Sequence, residues 1–395
     1  MNPLLFVFIG ILVGILGIFP FIHTNLLMEL AKGFFSDSLA LGLFAAGVAF
    51  SHLVFESIPV VFFCIPSADQ GVTVLPAHKL VLEGKGFLAL NLVLSSFFHS
   101  LLLSFILFPF VLILLPPLFT SLKPLLLPVL LLLLIAFFLS EKTLGNILLS
   151  ASIFLLSGLF GFFSFSFSSD ALFPLLTGLF GVSSILLSLQ GRSEFPKQEE
   201  APWPGVSKKL VFTGCVLGSL SVLFPAINPA LLSALVFIFL ECSPESFLVL
   251  NSSLVASKLF FDFVAVFTIG KARTGAAVVL KDMLHSSPAL LLIVIATAVS
   301  FFLSLALLLL TYRRLVGFLY SFNFLKLNLF FLLVLSAAVF FTSGFAGLFI
   351  MAFATPLGLL PPLLKLKRSY SMGALIVPSL LYFSGLNYFI QGVLS

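Results

Sequence analysis

The chain has 395 residues, of which 61% are hydrophobic and only 8% are charged. Soluble domains average about 25% charged residues, so 19 basic and 14 acidic side chains are too few to solvate a globule of this length. The composition excludes soluble, disordered and nucleic-acid-binding proteins, the last despite a net charge of +5, and predicts a multi-pass integral protein of the cell membrane.

Long apolar stretches indicate the transmembrane helices. A spanning helix needs about 20 apolar residues, and stretches that meet or approach this length lie at residues 3–22, 39–64, 87–116, 124–140, 144–165, 171–190, 210–240, 246–269, 288–312, 327–350 and 373–392. Residues 352–364 are short and Pro-rich, which favours a half-helix. Because the runs lack the period-2 alternation of a membrane barrel, we predict an all-α fold: a polytopic transmembrane helix bundle of about 10–12 spans with broken or re-entrant helices.

One polar segment divides the chain. Residues 191–209 carry seven charges and three prolines, a composition typical of a linker. We therefore predict a first membrane half at residues 1–190, a polar linker at 191–209 and a second membrane half at 210–395.

Basic residues do not fix the orientation. Counting spans places the linker and the loop at 271–281 on one side with seven Lys/Arg, and the loops at 313–326 and 365–368 on the other with six. The positive-inside rule cannot decide so even a division. The nearly equal numbers of basic residues on the two sides indicate that one of the counted spans is re-entrant. The assignment of successive loops to alternating sides of the membrane is then wrong.

A repeat relates the two halves. Gly10-x-x-x-Gly14 precedes the segment Phe19–Asn25, and Gly214-x-x-x-Gly218 precedes Phe224–Pro229. Further along, a basic glycine-containing loop enters an apolar run in each half. Two matches in the same order predict an internal duplication, and broken helices at corresponding positions point to a transporter's binding site.

The prolines in these motifs mark candidate substrate-binding segments. Pro20 and Pro225 remove backbone donors and break helices at membrane depth, which frees backbone groups for ligands. The polar residues that follow are predicted to complete a carboxylate or sodium site: His23, Thr24 and Asn25 after the first break, and Asn228 with Pro229 after the second. Asn25 and Asn228 are candidates for ion coupling as well. The alternative is a Pro-kinked helix end whose Asn only caps the backbone.

Ionisable residues inside apolar runs are a second set of candidates. Lys258 and Asp262 are four apart, so they share one helix face; Lys258 is predicted to attract substrate and Asp262 to bind the coupling ion, and a neutralising structural pair is the alternative. His52 and Glu56 have the same spacing, and Glu56 is a further ion-coupling candidate. A membrane H-x-x-x-E could serve a metalloprotease, but no H-E-x-x-H motif accompanies it, so we predict no enzyme and no metal site.

Polar residues elsewhere complete the predicted site. The stretch from Pro66 to Gly86 includes Asp69 and His78, which could close over a substrate; a solvated loop is the alternative. Asn251 and Ser252 form a polar cluster inside a span, where hydrogen bonding between helices is the simpler interpretation.

These motifs together resemble the large membrane subunit of tripartite tricarboxylate transporters, the TctA family, and within it an archaeal branch of uncharacterised membrane proteins. The similarity covers nearly the whole chain, through residues 20–25, 75–78, 83–86, 225–230 and 269–276, the last containing Arg273, and through C-terminal motifs at 357–361, 368–373 and 378. The resemblance implies a transporter subunit that takes carboxylates and works with a small membrane subunit and an extracytoplasmic binding protein. It also implies that Arg273 contacts substrate.

Three family glycines are replaced in this chain. Phe21, Ala226 and Ala77 stand where the family has glycine, a residue that permits positive φ and close ligand approach.

We therefore keep three functional hypotheses. The first is a secondary transporter or permease for small organic anions, above all carboxylates, with sodium or proton coupling and no other cofactor. The alternatives are a translocase for a lipid-linked anion such as polyprenyl phosphate, and a non-transporting membrane scaffold.

Overall fold

A computed structural model describes residues 3–19, 22, 24–62, 74–139, 141, 143–168, 171–189, 196–224, 229–236, 243–281, 287–320 and 324–384. Every regular element in these ranges is helical and none is a β-strand, which confirms the all-α prediction.

The helices before the linker are α1 Pro3–Gly14, α2 Thr24–Lys32, α3 Ser38–Phe62, α4 Val74–Leu82, α5 Gly86–Leu122, α6 Leu126–Leu139, α7 Leu144–Phe167, α8 Leu172–Leu176 and α9 Ser183–Ser188. Those after it are α10 Lys208–Ser221, α11 Pro229–Val236, α12 Pro244–Ile269, α13 Gly275–Val278, α14 Ser287–Tyr320, α15 Phe324–Leu363 and α16 Gly373–Ser384. Short 3₁₀ segments at Ile15–Ile18, Lys123–Leu125 and Arg368–Met372 and a π-helical segment at Thr177–Val182 connect some of them.

Within the described ranges, six helices are long and apolar enough to cross a membrane: Ser38–Phe62, Gly86–Leu125, Leu144–Phe167, Pro244–Ile269, Ala289–Phe318 and Asn328–Leu363. They correspond to six of the predicted spans and confirm a multi-pass membrane protein. Other predicted spans are shorter apolar helices, among them Pro3–Ile18 and Leu172–Leu187. The helices of the described ranges therefore do not provide 10–12 full crossings.

Two predicted elements differ from the structure. The predicted span at 210–240 consists of two separate helices, α10 and α11. Residues 352–364 do not form a separate half-helix, because α15 continues to Leu363. The interruption of α15 lies earlier, at Gly344, where φ is 61°. The prediction of a break from the prolines is therefore wrong here. The helix is interrupted at Gly344 instead, where glycine adopts a positive φ that other residues rarely adopt.

The helices cluster into two compact units. The first comprises Met1–Ser121, Glu194–Leu223 and Asn228–Phe322; the second comprises Leu122–Ser193, Phe224–Ile227 and Asn323–Ser395. This clustering follows spatial contacts and does not test the predicted sequence halves, which remain a prediction.

Helices α3 and α12 form the centre of the first unit, and both are buried along most of their length. A short helix packs in parallel against each of them through glycines. On α1, a methyl group added at Gly14 would lie 2.7 Å from the carbonyl oxygen of Val48; on α10, one added at Gly218 would lie 2.7 Å from that of Leu254. Small residues let the backbones approach this closely.

The chain reverses direction between α10 and α11. Gly218, near the end of α10, packs at Lys258 of α12. Ser233 on α11 instead donates a hydrogen bond to Asn251, two helical turns earlier on α12. Helix α11 thus leads back toward the start of α12 at Pro244.

Glycine contacts also organise the second unit. Gly178 packs against the backbone of Met351 and Gly358 against that of Leu179, which joins α15 to the Thr177–Val182 segment. Tyr370 is fully buried against the end of α6, and its hydroxyl donates to Glu141 Oε1 at 2.7 Å.

The linker lies on the same side of the first unit as the end of α14. Arg313 Nη2 is 2.7 Å from Glu200 Oε2, so the loops that span counting assigned to opposite sides are neighbours. The assigned alternation of sides is therefore wrong, as the even charge distribution indicated. The chain reverses between α10 and α11, two helices that were counted as one crossing.

Candidate functional site

The predicted site lies where the short glycine-containing helices end. Helix α1 and its 3₁₀ extension stop at Ile18, and α2 begins at Thr24; α10 stops at Ser221, and α11 begins at Pro229, which is buried. Four of the residues predicted at the two breaks lie outside the described residues: Pro20, His23, Pro225 and Asn228. Thr24 starts α2 and is half-buried, and Asn25 follows it in the helix with a side chain outside the described set.

His52 of α3 binds the backbone at the first break. Its Nε2 lies 2.6 Å from the carbonyl oxygen of Ile22, two residues before Thr24. Its other nitrogen, Nδ1, lies 3.6 Å from Glu56 Oε2, and the two side chains are 4% and 17% exposed. The predicted ion-coupling residue Glu56 therefore belongs to a buried pair that contacts the break.

Asp262 and Arg273 meet at the second break. The Arg273 backbone N–H donates to Asp262 Oδ1 at 2.7 Å, and the Thr274 hydroxyl donates to Oδ2 at 2.6 Å. The Arg273 guanidinium donates to the carbonyls of Val222 and Leu223, at 3.1 and 3.2 Å, directly after α10 ends. Burial lowers the pKa of Arg273, and the charge of Asp262 opposes that shift.

This arrangement gives Arg273 and Asp262 clear structural roles. The guanidinium satisfies two carbonyls that a broken helix leaves without partners, and the carboxylate fixes the turn that carries Arg273. Lys258, one turn before Asp262 on the same helix, is 9% exposed. Three residues predicted from two motifs, the Lys258–Asp262 pair and Arg273, thus lie together around the end of α10.

Asn251 and Ser252 lie beside the first residues of α11. Asn251 Oδ1 accepts a hydrogen bond from Ser233 at 2.8 Å. Asn251 Nδ2 and Ser252 Oγ are fully buried and have no hydrogen-bond partner in the described part of the chain. Sequence reasoning missed Ser233, although its position shortly after the Pro225 motif was a signal.

His78 lies on α4, so this part of the predicted loop is helical. The α4 helix packs against both central helices, α3 and α12, and burial lowers the pKa of the half-buried His78. The solvated-loop interpretation is therefore wrong for Val74–Leu82. Asp69, the other candidate in this stretch, lies outside the described residues.

The polar linker holds the corner between α4 and α5. Gln198 accepts a hydrogen bond from the Gly86 N–H at 2.8 Å and donates to the Val81 carbonyl at 3.1 Å. The Glu199 N–H donates to the Gly84 carbonyl at 2.7 Å. Residues 196–204 therefore form an ordered strap across this corner, a feature that the linker-like composition did not reveal.

Comparison with known proteins identifies the chain. The profile of the tripartite tricarboxylate transporter TctA family matches residues 4–373. The chain belongs to the TctA family. It is similar to "Uncharacterized protein MJ1079" of Methanocaldococcus jannaschii, with 28% identity over 407 residues that cover 97% of this chain and 99% of the relative. No solved structure matches it.

TctA family membership confirms the resemblance drawn from the motifs. The protein is the membrane component of a transporter and not an enzyme. Together with the six long apolar helices, this makes it an integral membrane protein with several spans.

Proposed function

We propose that this TctA family protein is the permease subunit of a secondary transporter for small organic anions, and that its substrates are carboxylates. The family supplies the class of molecule, since its name refers to tricarboxylates. The observation that carries the proposal is the set of buried, unpartnered polar groups on Asn251 and Ser252 of α12, at the level where α11 runs beside α12 through the bond of Ser233 to Asn251.

These groups suit a carboxylate. An amide Nδ2 is only a donor, and a hydroxyl can donate; leaving a buried donor unsatisfied costs about 1–3 kcal/mol. Carboxylate oxygens accept such bonds, and charge-assisted bonds are the stronger ones. Lys258 lies seven residues after Asn251, on the same helix face, and adds positive charge to this side of α12.

The length of α10 favours a re-entrant hairpin around this site. The 14 residues of α10 rise about 21 Å at 1.5 Å per residue, which is less than the roughly 30 Å hydrocarbon core. Because the chain reverses between α10 and α11, we assign the two helices to a hairpin that enters and leaves the membrane on one side. Irregular backbone at its tip requires a protein-lined or water-filled cavity.

Matching contacts support a duplication. Gly10 and Gly14 meet Phe44, Gly47, Val48, Ser51 and His52; Gly214 and Gly218 meet Leu250, Ser253, Leu254, Ser257 and Lys258 at the same relative positions. Each residue on α12 is 206 positions after its counterpart on α3.

The two proposed repeats run in opposite directions. Phe62, at the end of α3, packs near Gly86, which the linker residue Gln198 binds. Helix α10 starts directly after the linker and runs parallel to α12, so α12 leads away from the linker while α3 leads toward it. Inverted repeats with broken helices are the arrangement in which transporters bind substrate near the bilayer midplane.

The tripartite family name also suggests the partners. We propose a small membrane subunit and an extracytoplasmic binding protein that delivers the carboxylate, with sodium or proton coupling. Uptake into proteoliposomes should then require the binding protein, and co-purification should recover the small subunit. Uptake that is independent of both would remove these partners from the proposal.

The first test is ligand-dependent thermal stability of the purified protein. Citrate, succinate, uncharged trimethyl citrate and a polyprenyl phosphate are compared, each with sodium and with potassium. A ligand at 100 times its Kd adds about 2.7 kcal/mol to stability, so the two carboxylates should raise the melting temperature while trimethyl citrate should not. The shift should shrink in Asn251→Leu and Ser252→Ala.

A buried serine elsewhere provides the control. Ser300 of α14 is also fully buried, but its hydroxyl donates to Ala296 of its own helix at 2.6 Å, so Ser300→Ala should keep the full citrate shift. Stabilisation by polyprenyl phosphate alone would overturn the permease in favour of a lipid-anion translocase. No shift from any ligand would favour a membrane scaffold.

A further inference from the structure

The positions of the His52 and Glu56 side chains bear on how many protons the two groups hold between them. We propose that these two side chains bind one exchangeable proton and that this proton is the coupling ion of carboxylate uptake. The second statement rests on the proposed function, whereas the first does not. Both start from two contacts of one imidazole ring, with the Ile22 carbonyl oxygen on one side and the Glu56 carboxylate on the other.

The carbonyl contact fixes the tautomer. A carbonyl oxygen can only accept a hydrogen bond, so at 2.6 Å the His52 Nε2 must carry a hydrogen. In a neutral imidazole only one nitrogen is protonated, so Nδ1 would then turn a lone pair toward Glu56 Oε2 at 3.6 Å. Two acceptors facing each other repel. One further proton, on Nδ1 or on the carboxyl, converts this repulsion into an attraction between a donor and an acceptor.

The same proton balances the charge. Neutral His52 with ionised Glu56 carries a net charge of −1, and the protonated pair carries none. Both residues lie within the membrane-spanning helix Ser38–Phe62, where an unbalanced charge is costly. Glu56 is the more exposed of the two, at 17% against 4%, so the proton reaches the pair through the carboxylate.

The second proposed repeat supports this interpretation by contrast. The offset of 206 residues between α3 and α12 pairs His52 with Lys258 and Glu56 with Asp262. Asp262 accepts hydrogen bonds from two donors, the Arg273 N–H and the Thr274 hydroxyl, whereas Glu56 contacts the imidazole of His52. The carboxylate of the second pair therefore already has two donors, and histidine is the side chain of the four whose ordinary charge change falls between pH 5 and 8.

Proton binding and anion binding should favour each other. A charged imidazolium is a stronger donor than a neutral imidazole, so the protonated pair holds the Ile22 carbonyl more firmly. That carbonyl directly precedes the predicted substrate segment with Thr24 and Asn25. Loss of the proton also leaves a negative charge that repels a carboxylate. By linkage, bound carboxylate then raises proton affinity by the same factor.

Other ionisable groups lie on the elements packed against α3. Helix α1 has none, and those on the other elements are Glu29 and Lys32 of α2, His78 and Lys79 of α4, Glu245, Lys258 and Asp262 of α12, Arg273 before α13, and Tyr312, Arg313 and Arg314 of α14. His23 follows Ile22 directly and lies outside the described residues. Because several of these groups titrate too, a pH profile of uptake alone would not identify the pair.

The direct test is ¹⁵N solid-state NMR of the full-length protein in nanodiscs with labelled histidine. The chain has five histidines, and the spectrum of His52→Gln identifies the His52 signals. We expect Nε2 to be protonated throughout, while the Nδ1 signal changes with pH. In Glu56→Gln the amide donates to Nδ1, which should hold the neutral Nε2–H tautomer and shift or abolish the titration.

An exposed acid gives the matched control. Glu83 pairs with Lys85 at 3.1 Å on the surface, so Glu83→Gln should leave the His52 titration unchanged. Finding the Nδ1–H tautomer in the native protein would overturn the proposal. An identical His52 titration in Glu56→Gln would overturn it as well.

The coupling statement is tested by citrate uptake into proteoliposomes that also contain the proposed small subunit and are supplied with the proposed binding protein, with and without an inward proton gradient. The native protein and Glu83→Gln should accumulate more citrate with the gradient, whereas the remaining uptake of Glu56→Gln should not respond to it. Citrate uptake by the native protein that follows sodium and ignores the proton gradient would overturn proton coupling. If the native protein moves no carboxylate, the proposed function fails, and the NMR titration still decides whether the pair holds a proton.

Discussion

At the scale of single residues, two acidic side chains that look equivalent in the sequence have different hydrogen-bond partners in the structure. Asp262 and Glu56 occupy matching positions in the two i, i+4 pairs. Asp262 is fully buried and accepts from Arg273 and Thr274, whereas Glu56 contacts a histidine and retains some exposure. We therefore move Asp262 from the ion-coupling candidates to a proposed structural role and keep Glu56 as the coupling acid.

Replacing Asp262 should test that structural role. Asp262→Asn removes the charged acceptor of the Arg273 N–H and of the Thr274 hydroxyl, and a hydrogen bond to a charged group contributes about 1.5–3 kcal/mol. Thermal unfolding in detergent should show a large loss of stability.

The control for Asp262→Asn is an aspartate that caps a helix at the surface. Asp37 accepts from the Leu39 and Ala40 N–H groups at the start of α3, and asparagine caps about as well. Asp37→Asn should therefore unfold close to the native temperature. Equal effects of the two substitutions would contradict the structural role of Asp262.

At the scale of helices, glycine determines which pairs approach closely. The contacts of α1 with α3 and of α10 with α12 both depend on a glycine at each of two successive turns, and similar contacts recur between α7 and α16. In a membrane the hydrophobic effect does not drive helices together, so close van der Waals packing between small residues takes its place.

Gly218→Ala should loosen the contact of α10 with α12. The added methyl group would collide with Ser257 Oγ and lie 2.7 Å from the Leu254 carbonyl oxygen, and overpacking of this kind costs about 1–3 kcal/mol. The melting temperature should fall. Gly317→Ala is the control, since nothing lies within 4 Å of a methyl group there and alanine favours the helix; a fall of equal size in that variant would refute the packing argument.

Proteolysis can test whether the bonds of Gln198 hold the strap formed by residues 196–204. Gln198→Ala removes the bonds to Gly86 and Val81, each worth about 0.5–1.5 kcal/mol, and should free the strap for cleavage by a protease specific for glutamate at Glu199 and Glu200. Lys197→Ala, which changes a neighbouring side chain and leaves these bonds intact, should be cleaved at the native rate. A native cleavage rate in Gln198→Ala would show that its bonds do not hold the strap.

At the scale of the whole molecule, the membrane sidedness of the loops follows from contacts between distant segments. The ion pair of Glu200 with Arg313 is exposed on both sides, so it contributes little stability. The pair shows that the linker and the end of α14 are neighbours, from which we predict that both lie on one membrane face. The loop between α12 and α14 is then predicted to lie on the opposite face.

Side-specific labelling of single cysteines checks this topology. In a background without the three native cysteines, Gly205→Cys and Arg314→Cys should react with a membrane-impermeant maleimide from one side, and Lys271→Cys from the other, since all three positions are exposed. Labelling of Gly205→Cys and Arg314→Cys from opposite sides would refute the re-entrant hairpin of α10 and α11.

The sequence by itself determined the class of molecule, the long spans and the family. These follow from composition and local pattern: apolar runs of sufficient length must be helical in a bilayer because backbone groups there have no water to bond. The same local rule, that proline interrupts a helix, correctly divided residues 210–240 and wrongly predicted a break after residue 352.

Only the tertiary structure decided which buried groups serve which role. The bonds of Arg273 to Val222 and Leu223, and of His52 to Ile22, join residues 30 to 51 positions apart, and the strap binds α4 and α5 from more than 100 positions away. Sequence spacing places residues on one face of one helix. Hydrogen-bond partners from other helices depend on how the helices pack, and those partners separate a structural carboxylate from one that can bind a proton.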